Sequence, residues 1–425
     1  MSGIIISLWL ISITFFALFQ PLAGPLIYYM MVWLSPYSQM YSGLSLRWNL
    51  IVSITSLMGY LSLGDRRQSS RNPIVFFVFI LTAWYLLSAF VNKLEGSDFS
   101  LAVDFAKIAL MSWITASLII TRARIHALAW ILIIAIGGVS LRTGVMAVVS
   151  GGGGVIVGPE HLGHTNEYSR FVIYTWPFML FLARHSAHFY VRFGNAVLAT
   201  AAVLTLIGTN SRGALVAFAA MSFVLWIYGK NKILPLVLLA TFISAAYFIL
   251  PQQRLESFTN RTATIESAEE DVSFLARTES WAFGWNYALE HPFFGGGAGV
   301  FERVHEVASH SSYFEVLGES GFVGLGIYLI LAVLAFMTIF RIRRLSRGIT
   351  ELLWAHDLAF YIMISLVGYF VGGITKNHGF NEYYYMLLGI LMGLETAVKN
   401  YLVSQAQSVG LKDDSLKLNA APQTS

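Results

Sequence analysis

The sequence has no cysteine and very little charge. The absence of Cys among its 425 residues excludes disulfides, thiolate nucleophiles and Cys-ligated metal sites. Asp, Glu, Lys and Arg together make up 12% of the chain, whereas a soluble globular domain carries about 25%. Hydrophobic residues reach 56% and the mean hydropathy is +0.65. This composition excludes a soluble globular protein and predicts a membrane protein.

Long apolar segments recur along the chain, among them residues 73–92 and 233–250. Each approaches the roughly 20 residues that cross a bilayer as a helix. The first long segment, residues 4–36, is interrupted at residues 20–25, where Pro21 and Pro25 would break or kink a helix. One broken crossing there gives twelve spans, and two short crossings give thirteen. We predict an all-α polytopic membrane protein with about twelve transmembrane helices.

The distribution of charge predicts the topology. Basic connections normally remain in the cytoplasm, and five of them occur at residues 65–71, 122–126, 184–192, 229–232 and 341–347. They alternate with residues 93–98, 150–165, 208–212, 251–310 and 375–381, which are therefore expected on the opposite face. The predicted organisation is a transmembrane bundle over residues 1–250, a large external loop over 251–310, further spans over 311–404, and a disordered cytoplasmic tail over 405–425.

The external loop over residues 251–310 is far longer than an ordinary connection, which suggests a function. A helix is predicted from Arg277 through Leu289, followed by a Pro- and Gly-rich turn over residues 291–299. An arginine near a helix N-terminus is not favoured by the helix dipole, so Arg277 is expected to meet an anion, either Glu279 or a substrate.

Three further arginines, Arg142, Arg170 and Arg212, fall at the predicted external ends of spans. An ionisable residue at membrane depth is costly and usually faces a cavity or a partner. Structural explanations are snorkelling to headgroups or pairing with a glutamate such as Glu160 or Glu167. The functional explanation is bidentate binding of a lipid-linked pyrophosphate, which several converging guanidinium groups would suit.

Three histidines and one acidic run each allow more than one interpretation. His161 and His164 follow a Gly-rich stretch and could bind a metal, but two imidazoles without a third ligand are more often ordinary polar loop residues. The acidic run over residues 269–271 is either a divalent-metal site or a solvated charge run. His310 precedes the next predicted span and could act as a general base, with Glu315 and Glu319 as competing bases.

Three motifs resemble the O-antigen ligase and polysaccharide polymerase superfamily of bacterial inner-membrane proteins, most strongly over residues 208–324. The motifs are Ser211-Arg212-Gly213; Arg277-x-x-x-Trp281 leading into His291-Pro292-x-x-Gly295-x-Gly297; and His310-Ser311-x-Tyr313 followed by Glu319-Ser320-Gly321.

The resemblance implies a GT-C-like glycosyltransferase that needs no metal or other cofactor. Such enzymes move glycan from undecaprenyl pyrophosphate to an acceptor at the periplasmic face of the inner membrane. By resemblance, Arg212 and Arg277 would bind the pyrophosphate and stabilise the leaving group, while His310 would activate the acceptor hydroxyl with inversion at the anomeric carbon. The expected donor-binding residues are Arg142, His161, His164, Arg170 and Tyr313.

The sequence allows more than one acceptor for the glycan. The leading hypothesis is O-antigen ligation to the lipid A core of lipopolysaccharide, with membrane lipid but no nucleic acid as a further partner. The same donor would serve an O-antigen or exopolysaccharide polymerase, or a protein O-oligosaccharyltransferase. A lipid-linked glycan transporter would share the basic cavity without needing His310. Crowding of the charged residues at the external side favours an enzyme over the transporter.

Overall fold

A computed structural model describes residues 2–35, 47–64, 72–150, 165–209, 211–229, 232 and 272–408. All regular secondary structure within these ranges is helical. The α-helices are α1 (Ser2–Phe19), α2 (Ala23–Leu34), α3 (Trp48–Leu61), α4 (Pro73–Val91), α5 (Phe99–Leu118), α6 (Arg122–Leu132), α7 (Gly138–Val149), α8 (Thr165–His185), α9 (Phe189–Thr209), α10 (Arg212–Tyr228), α11 (Val272–Glu290), α12 (Ser312–Leu345), α13 (Leu353–Gly372) and α14 (Glu382–Ser408). A π-helical turn, Ile133–Gly137, joins α6 to α7.

Among the described residues, seven helical segments are long and apolar enough to cross a membrane. They are Pro73–Glu95, Phe99–Leu118, Arg122–Val149, Phe189–Thr209, Ser312–Leu345, Thr350–Thr375 and Glu382–Ser408. Shorter apolar helices include α2, α3 and α10. The chain is therefore a helical, multi-pass membrane protein. The twelve-span count and the GT-C-like arrangement stay predictions. The apolar segment over 233–250 lies outside the described residues. Of the predicted tail over 405–425, residues 405–408 belong to α14 and the rest lie outside the described residues.

The predicted interruption of the first apolar segment is present. Helix α1 ends at Phe19 and α2 begins at Ala23. Pro21 lacks a backbone N–H and cannot continue the helix. A hydrogen bond spans the break: the Ala23 N–H donates to the Gln20 carbonyl at 2.8 Å. Both helices pack against α3.

Side-chain caps define where several helices begin. The Asn72 side chain accepts a hydrogen bond from the Ile74 N–H at 2.9 Å, and Pro73 occupies the first helical position of α4. Asp98 caps α5 in the same way, accepting from the Ser100 N–H at 2.9 Å. These polar residues satisfy N–H groups that the first turn of a helix leaves without partners.

Helices α8, α13 and α14 form the centre of the packing. Helix α8 packs against α9, α10 and α13, and α14 packs against α5, α12 and α13. Aromatic side chains fill the space between them, and Tyr174, Tyr369 and Tyr383 are fully buried. The Tyr174 ring lies 5.6 Å from Tyr369 and 5.8 Å from Tyr383, distances at which aromatic pairs attract.

Hydrogen bonds bring connections between helices together at the two ends of the bundle. At one end the Asp98 N–H donates to the Ala298 carbonyl over 3.1 Å, and Arg170 contacts Thr375. Asp98, Ala298 and Thr375 all belong to connections predicted to be external. At the other end His185, from the predicted cytoplasmic connection 184–192, contacts Asp357 at 2.9 Å. We call the first of these ends the His310 end, because His310 lies there.

Candidate functional site

His310 lies immediately before α12 in a strained backbone conformation. Its φ angle is +49°, a left-handed conformation that a residue with a Cβ rarely adopts. The neighbouring Ser309 hydroxyl donates to the Ser311 carbonyl at 3.0 Å, and the Glu315 N–H donates to the same residue's carbonyl in the first turn of α12. The imidazole is half-buried. Backbone strain of this kind is held by surrounding contacts and is often found at functional sites.

Two side chains of α12 fasten the connection between α13 and α14 beside His310. The Ser312 hydroxyl donates to the Lys376 carbonyl at 2.8 Å and accepts from the His378 N–H at 2.9 Å. One turn later, Glu315 Oε2 accepts from the Gly379 N–H at 2.7 Å. This connection, residues 375–381, is therefore tied to the start of the helix that His310 precedes.

Cationic side chains surround His310. Burial lowers the pKa of the His310 imidazole below its usual range, and the positive charges of Lys376, Arg277 and Arg170 lower it further. Glu167 opposes this shift weakly. The structure thus brings together three of the predicted site residues, His310, Arg277 and Arg170. At neutral pH the imidazole is uncharged and can accept a proton.

Arg170 is buried, with 4% of its surface exposed. Its Nη2 donates to Thr375 Oγ1 at 2.9 Å and to the Thr375 carbonyl at 3.3 Å, while Nε has no hydrogen-bond partner among the described residues. Glu167, one of the glutamates considered for pairing with an arginine, forms its ion pair with Lys376 instead. Arg170 is therefore fixed by neutral oxygens, an arrangement that an added anion would complement.

Arg212 is the first residue of α10 and is exposed. The Ser211 hydroxyl caps this helix by accepting from the Ala214 N–H at 3.4 Å. A Cβ added to Gly213 would lie 2.8 Å from Thr375 Oγ1 and 3.0 Å from Arg170 Cζ. Glycine in the Ser-Arg-Gly step therefore lets the first turn of α10 approach Arg170, which brings Arg212 to the same end of the bundle.

Arg277 lies on α11, but not at its N-terminus as predicted. The helix begins at Val272, so Arg277 is in its second turn, and the argument from the helix dipole does not apply. Trp281, one turn further on, stacks on Phe314 of α12 with ring centroids 5.7 Å apart. This contact holds α11 against the helix that follows His310. It therefore keeps Arg277 close enough for its charge to lower the pKa of His310.

The Gly-rich turn after α11 packs against a break in α12. Gly321 has φ +68° and interrupts that helix. The turn pairs with the exposed backbone around the break: the Gly296 N–H donates to the Gly318 carbonyl at 2.8 Å, and the Phe322 N–H donates to the Pro292 carbonyl at 2.9 Å. Glycines at φ +60° (Gly295) and +76° (Gly297) make this close approach possible. The motif therefore has a structural explanation.

The two competing bases, Glu315 and Glu319, already serve as hydrogen-bond acceptors. Glu315 accepts from Gly379 as described above. Glu319 is 5% exposed, and its carboxylate accepts from the Gly299 N–H at 2.9 Å and from the Tyr85 hydroxyl. These contacts hold the connection 375–381 and the Gly-rich turn in place, and they favour His310 as the base.

Comparison with known families bears on this set of residues. A sequence model of the family described as O-antigen ligase matches residues 196–329, a range that contains Arg212, Arg277 and His310. Residues 196–329 are therefore similar to the O-antigen ligase family, and the match supports that superfamily. A second model, described as a family of unknown function, matches residues 1–187. No curated protein sequence matches the chain.

The match over residues 196–329 supports the resemblance found in the sequence motifs. Enzymes of this superfamily are glycosyltransferase-like, and lipid-linked glycans are the substrates that the family suggests.

The remaining predicted site residues are placed differently. Tyr313 is half-buried and donates its hydroxyl to the Phe370 carbonyl at 3.0 Å, so its polar group already has a partner. Arg142 is exposed on α7, and no contact shown for the described residues joins it to His310. His161, His164 and the acidic run over 269–271 lie outside the described residues. Within the described residues, no three His, Asp or Glu side chains group as metal ligands.

Two residues of the site were not singled out from the sequence. Lys376 lies in a short connection that the charge pattern placed on the same face as Arg277, a signal that could have identified it. His378 is 5% exposed, and neither ring nitrogen has a hydrogen-bond partner among the described residues. Its ring lies 5.1 Å from Phe171. Burial, Arg170 and Lys376 lower the pKa of His378, which keeps this second imidazole neutral.

Proposed function

We propose that the protein is a periplasmic-face glycosyltransferase of the inner membrane that moves O-antigen glycan from undecaprenyl pyrophosphate to the lipid A core of lipopolysaccharide. The match of residues 196–329 to the O-antigen ligase family supports the reaction class. The observation that carries the proposal is the half-buried His310 beside the cations Arg170, Arg277 and Lys376, whose charges lower the pKa of its imidazole. A base and an anion site for a diphosphate are the two groups that this reaction needs.

The reaction proposed is a direct displacement at the anomeric carbon. A hydroxyl oxygen of the acceptor sugar forms a bond to that carbon while the bond from the carbon to the pyrophosphate oxygen breaks. The acceptor hydroxyl gives its proton to His310, and undecaprenyl pyrophosphate leaves with the electron pair. Attack from the face opposite the leaving group inverts the anomeric centre.

In this reaction the cations stabilise the pyrophosphate leaving group. Negative charge grows on the pyrophosphate oxygen as the glycosidic bond breaks, and guanidinium groups form charge-assisted, bidentate contacts with phosphate oxygens. Arg277 and Arg212 take this role in our proposal, while Arg170 is fixed by its hydrogen bonds to Thr375. Arg277 and Arg170, together with Lys376, disfavour protonation of His310 and so keep the base ready to accept a proton.

A reconstituted transfer assay tests the proposal. The purified protein in liposomes is supplied with undecaprenyl-pyrophosphate-linked O-antigen and purified lipid A core, and the product is identified by mass. His310→Ala should bind the donor normally but lose roughly 10²–10⁴-fold in transfer rate. Arg277→Ala should weaken donor binding roughly 10–100-fold. A matched control is His188→Ala, because His188 is exposed at the far end of the bundle from His310.

The product distinguishes the alternatives. Glycan attached to the lipid A core supports ligation. Donor-dependent lengthening of the carrier-linked glycan, with lipid A core unused, would identify a polymerase and overturn the acceptor assignment. Movement of the donor between leaflets without any new glycosidic bond would identify a transporter. Full transfer by His310→Ala would remove the proposed base.

A further inference from the structure

A cavity lies at the end of the bundle opposite His310. It has a volume of about 860 Å³, within the range of roughly 300–1,000 Å³ typical of ligand sites. It opens where α5 ends and α6 begins, and its other walls come from the start of α13, the last turns of α14, and the residues after α1 and α3. None of the residues of the candidate glycosyltransferase site lines it.

The cavity has an apolar wall and a cationic, hydroxyl-rich rim. Leu22, Leu63, Leu118 and Leu352 contribute the apolar part. The rim carries Arg122, Arg124, Ser117, Thr121, Asn400 and Ser404. This combination matches the boundary of a bilayer, where an acyl chain meets its polar headgroup.

Both guanidinium groups have contacts that fix them at the cavity. Arg124 Nη1 donates to the Leu118 carbonyl at 2.8 Å, which holds the side chain across the break between α5 and α6. The Arg122 guanidinium lies over the Trp354 ring, 5.8 Å from its centroid, within cation–π range. Glu351 also lines the cavity, so two positive charges face one negative charge, and the site carries a net positive charge.

The level of the cavity also fits a lipid headgroup. The candidate spans Phe99–Leu118, Arg122–Val149 and Thr350–Thr375 end or begin at its walls. Trp354 and Tyr401 line it, and such aromatic residues are typical of the interface between membrane and water. Basic pockets between transmembrane helices are known to accept anionic lipid headgroups.

We propose that this cavity binds an anionic phospholipid from the leaflet opposite the candidate glycosyltransferase site. The phosphate lies against Arg122 and Arg124, and an acyl chain lies along the leucine wall. The apolar wall selects a lipid over a free phosphate ion, and the excess of positive charge selects an anionic headgroup over a zwitterionic one. The proposal does not depend on the glycan-transfer function.

Lipid binding to the purified full-length protein in detergent tests this proposal. Dioleoyl phosphatidylglycerol, dioleoyl phosphatidylcholine and inorganic phosphate are titrated separately, and bound lipid is quantified by native mass spectrometry. Phosphatidylglycerol should bind more tightly than either of the others. Arg122→Gln should weaken its binding roughly five-fold, equivalent to about 1 kcal/mol. Arg347→Gln is the matched control, because it removes a cation that does not line this cavity.

A second variant tests the volume of the site rather than its charge. Ala397 lines the cavity and is half-buried, so Ala397→Phe should fill the cavity and reduce phosphatidylglycerol binding without removing a charge. Equal binding of phosphatidylglycerol and phosphatidylcholine would overturn the proposal. So would phosphate binding as tight as lipid binding, or lipid binding that neither Arg122→Gln nor Ala397→Phe changes.

Discussion

The hydroxyl of Ser312 accepts a hydrogen bond from the backbone N–H of His378 at 2.9 Å, joining the first turn of α12 to the connection between α13 and α14. The same hydroxyl donates to the Lys376 carbonyl. One small side chain thereby holds a lysine near His310, which lies two residues before it. Ser312 is a positioning residue in this arrangement rather than a group that contacts the substrate.

Replacing Ser312 by Ala should remove both hydrogen bonds and loosen the connection 375–381. At about 1 kcal/mol for each bond, the expected loss of stability is about 2 kcal/mol. Because Lys376 would be held less closely, the acid limb of the pH profile of kcat/KM for glycan transfer should move to higher pH. Ser53→Ala is a matched control, since among the described residues the buried Ser53 hydroxyl bonds only within its own helix, to the Asn49 carbonyl at 2.7 Å. An unchanged pH profile in Ser312→Ala would contradict the positioning role.

Lys376 itself should control the pH dependence of transfer directly. Its positive charge is the largest charge effect lowering the pKa of His310, after burial. A base works in its neutral form, so activity falls as pH drops through that pKa. Lys376→Met should raise the pKa of His310 and move the acid limb of kcat/KM upward, whereas Lys376→Arg should leave it near its original position. A downward shift in Lys376→Met would show that another group titrates in this limb.

Local sequence patterns predicted the helices better than the contacts between them. The apolar run over residues 73–92 corresponds to α4, Pro73–Val91, and Arg212 begins α10 as its place after Ser211 suggested. The N-terminus of α11 was placed wrongly at Arg277, because Asp271 was interpreted only as part of the acidic run. Asp favours helix N-termini, and Asp271 directly precedes Val272, where the helix begins.

Long-range relationships at the site could not be read from the sequence. The Gly-rich turn pairs with the α12 break at Gly321 through backbone groups, which have no side-chain signature. Lys376 was visible as an external cation, but its approach to His310 depends on how α13 and α14 pack against α12. The motifs identified the residues that meet at the site, and the packing determined which of them surround His310.

Gly295 gives a test of the contact between the Gly-rich turn and α12. Its φ is +60°, and an added Cβ would lie 2.8 Å from Gly321 N and 2.9 Å from the Glu319 carbonyl carbon. These are backbone atoms that cannot move aside easily, so Gly295→Ala should destabilise the protein by about 2–4 kcal/mol. Gly348→Ala is the control, because Gly348 also has positive φ, +79°, but has open space around it.

Thermal melting of both glycine variants at one heating rate separates two effects of the alanine. One is the cost of placing a Cβ at positive φ, and the other is the clash of that Cβ with neighbouring backbone. Gly348→Ala should lose only the conformational contribution, about 1 kcal/mol. A clearly lower melting temperature for Gly295→Ala is therefore expected. Equal melting temperatures would mean that the turn does not pack closely against the break in α12.

Glu395 gives a test of stability far from His310. Its side chain is buried, with 2% of the residue exposed, and it accepts from Asn72 Nδ2 at 2.6 Å, Arg341 Nη1 at 3.0 Å and Lys399 Nζ at 3.0 Å. Glu395→Gln removes the negative charge and turns an amide donor toward these donors. It should cost about 1–3 kcal/mol of stability and lower the melting temperature. Lys399→Gln removes one partly exposed partner and should cost less than about 1 kcal/mol.

The Glu395 network lies at the end of the bundle opposite His310. The donor KM and the kcat of Glu395→Gln, measured well below its melting temperature, should therefore equal those of the unmodified protein. A selective loss of kcat in this variant would show that the two ends of the bundle are coupled.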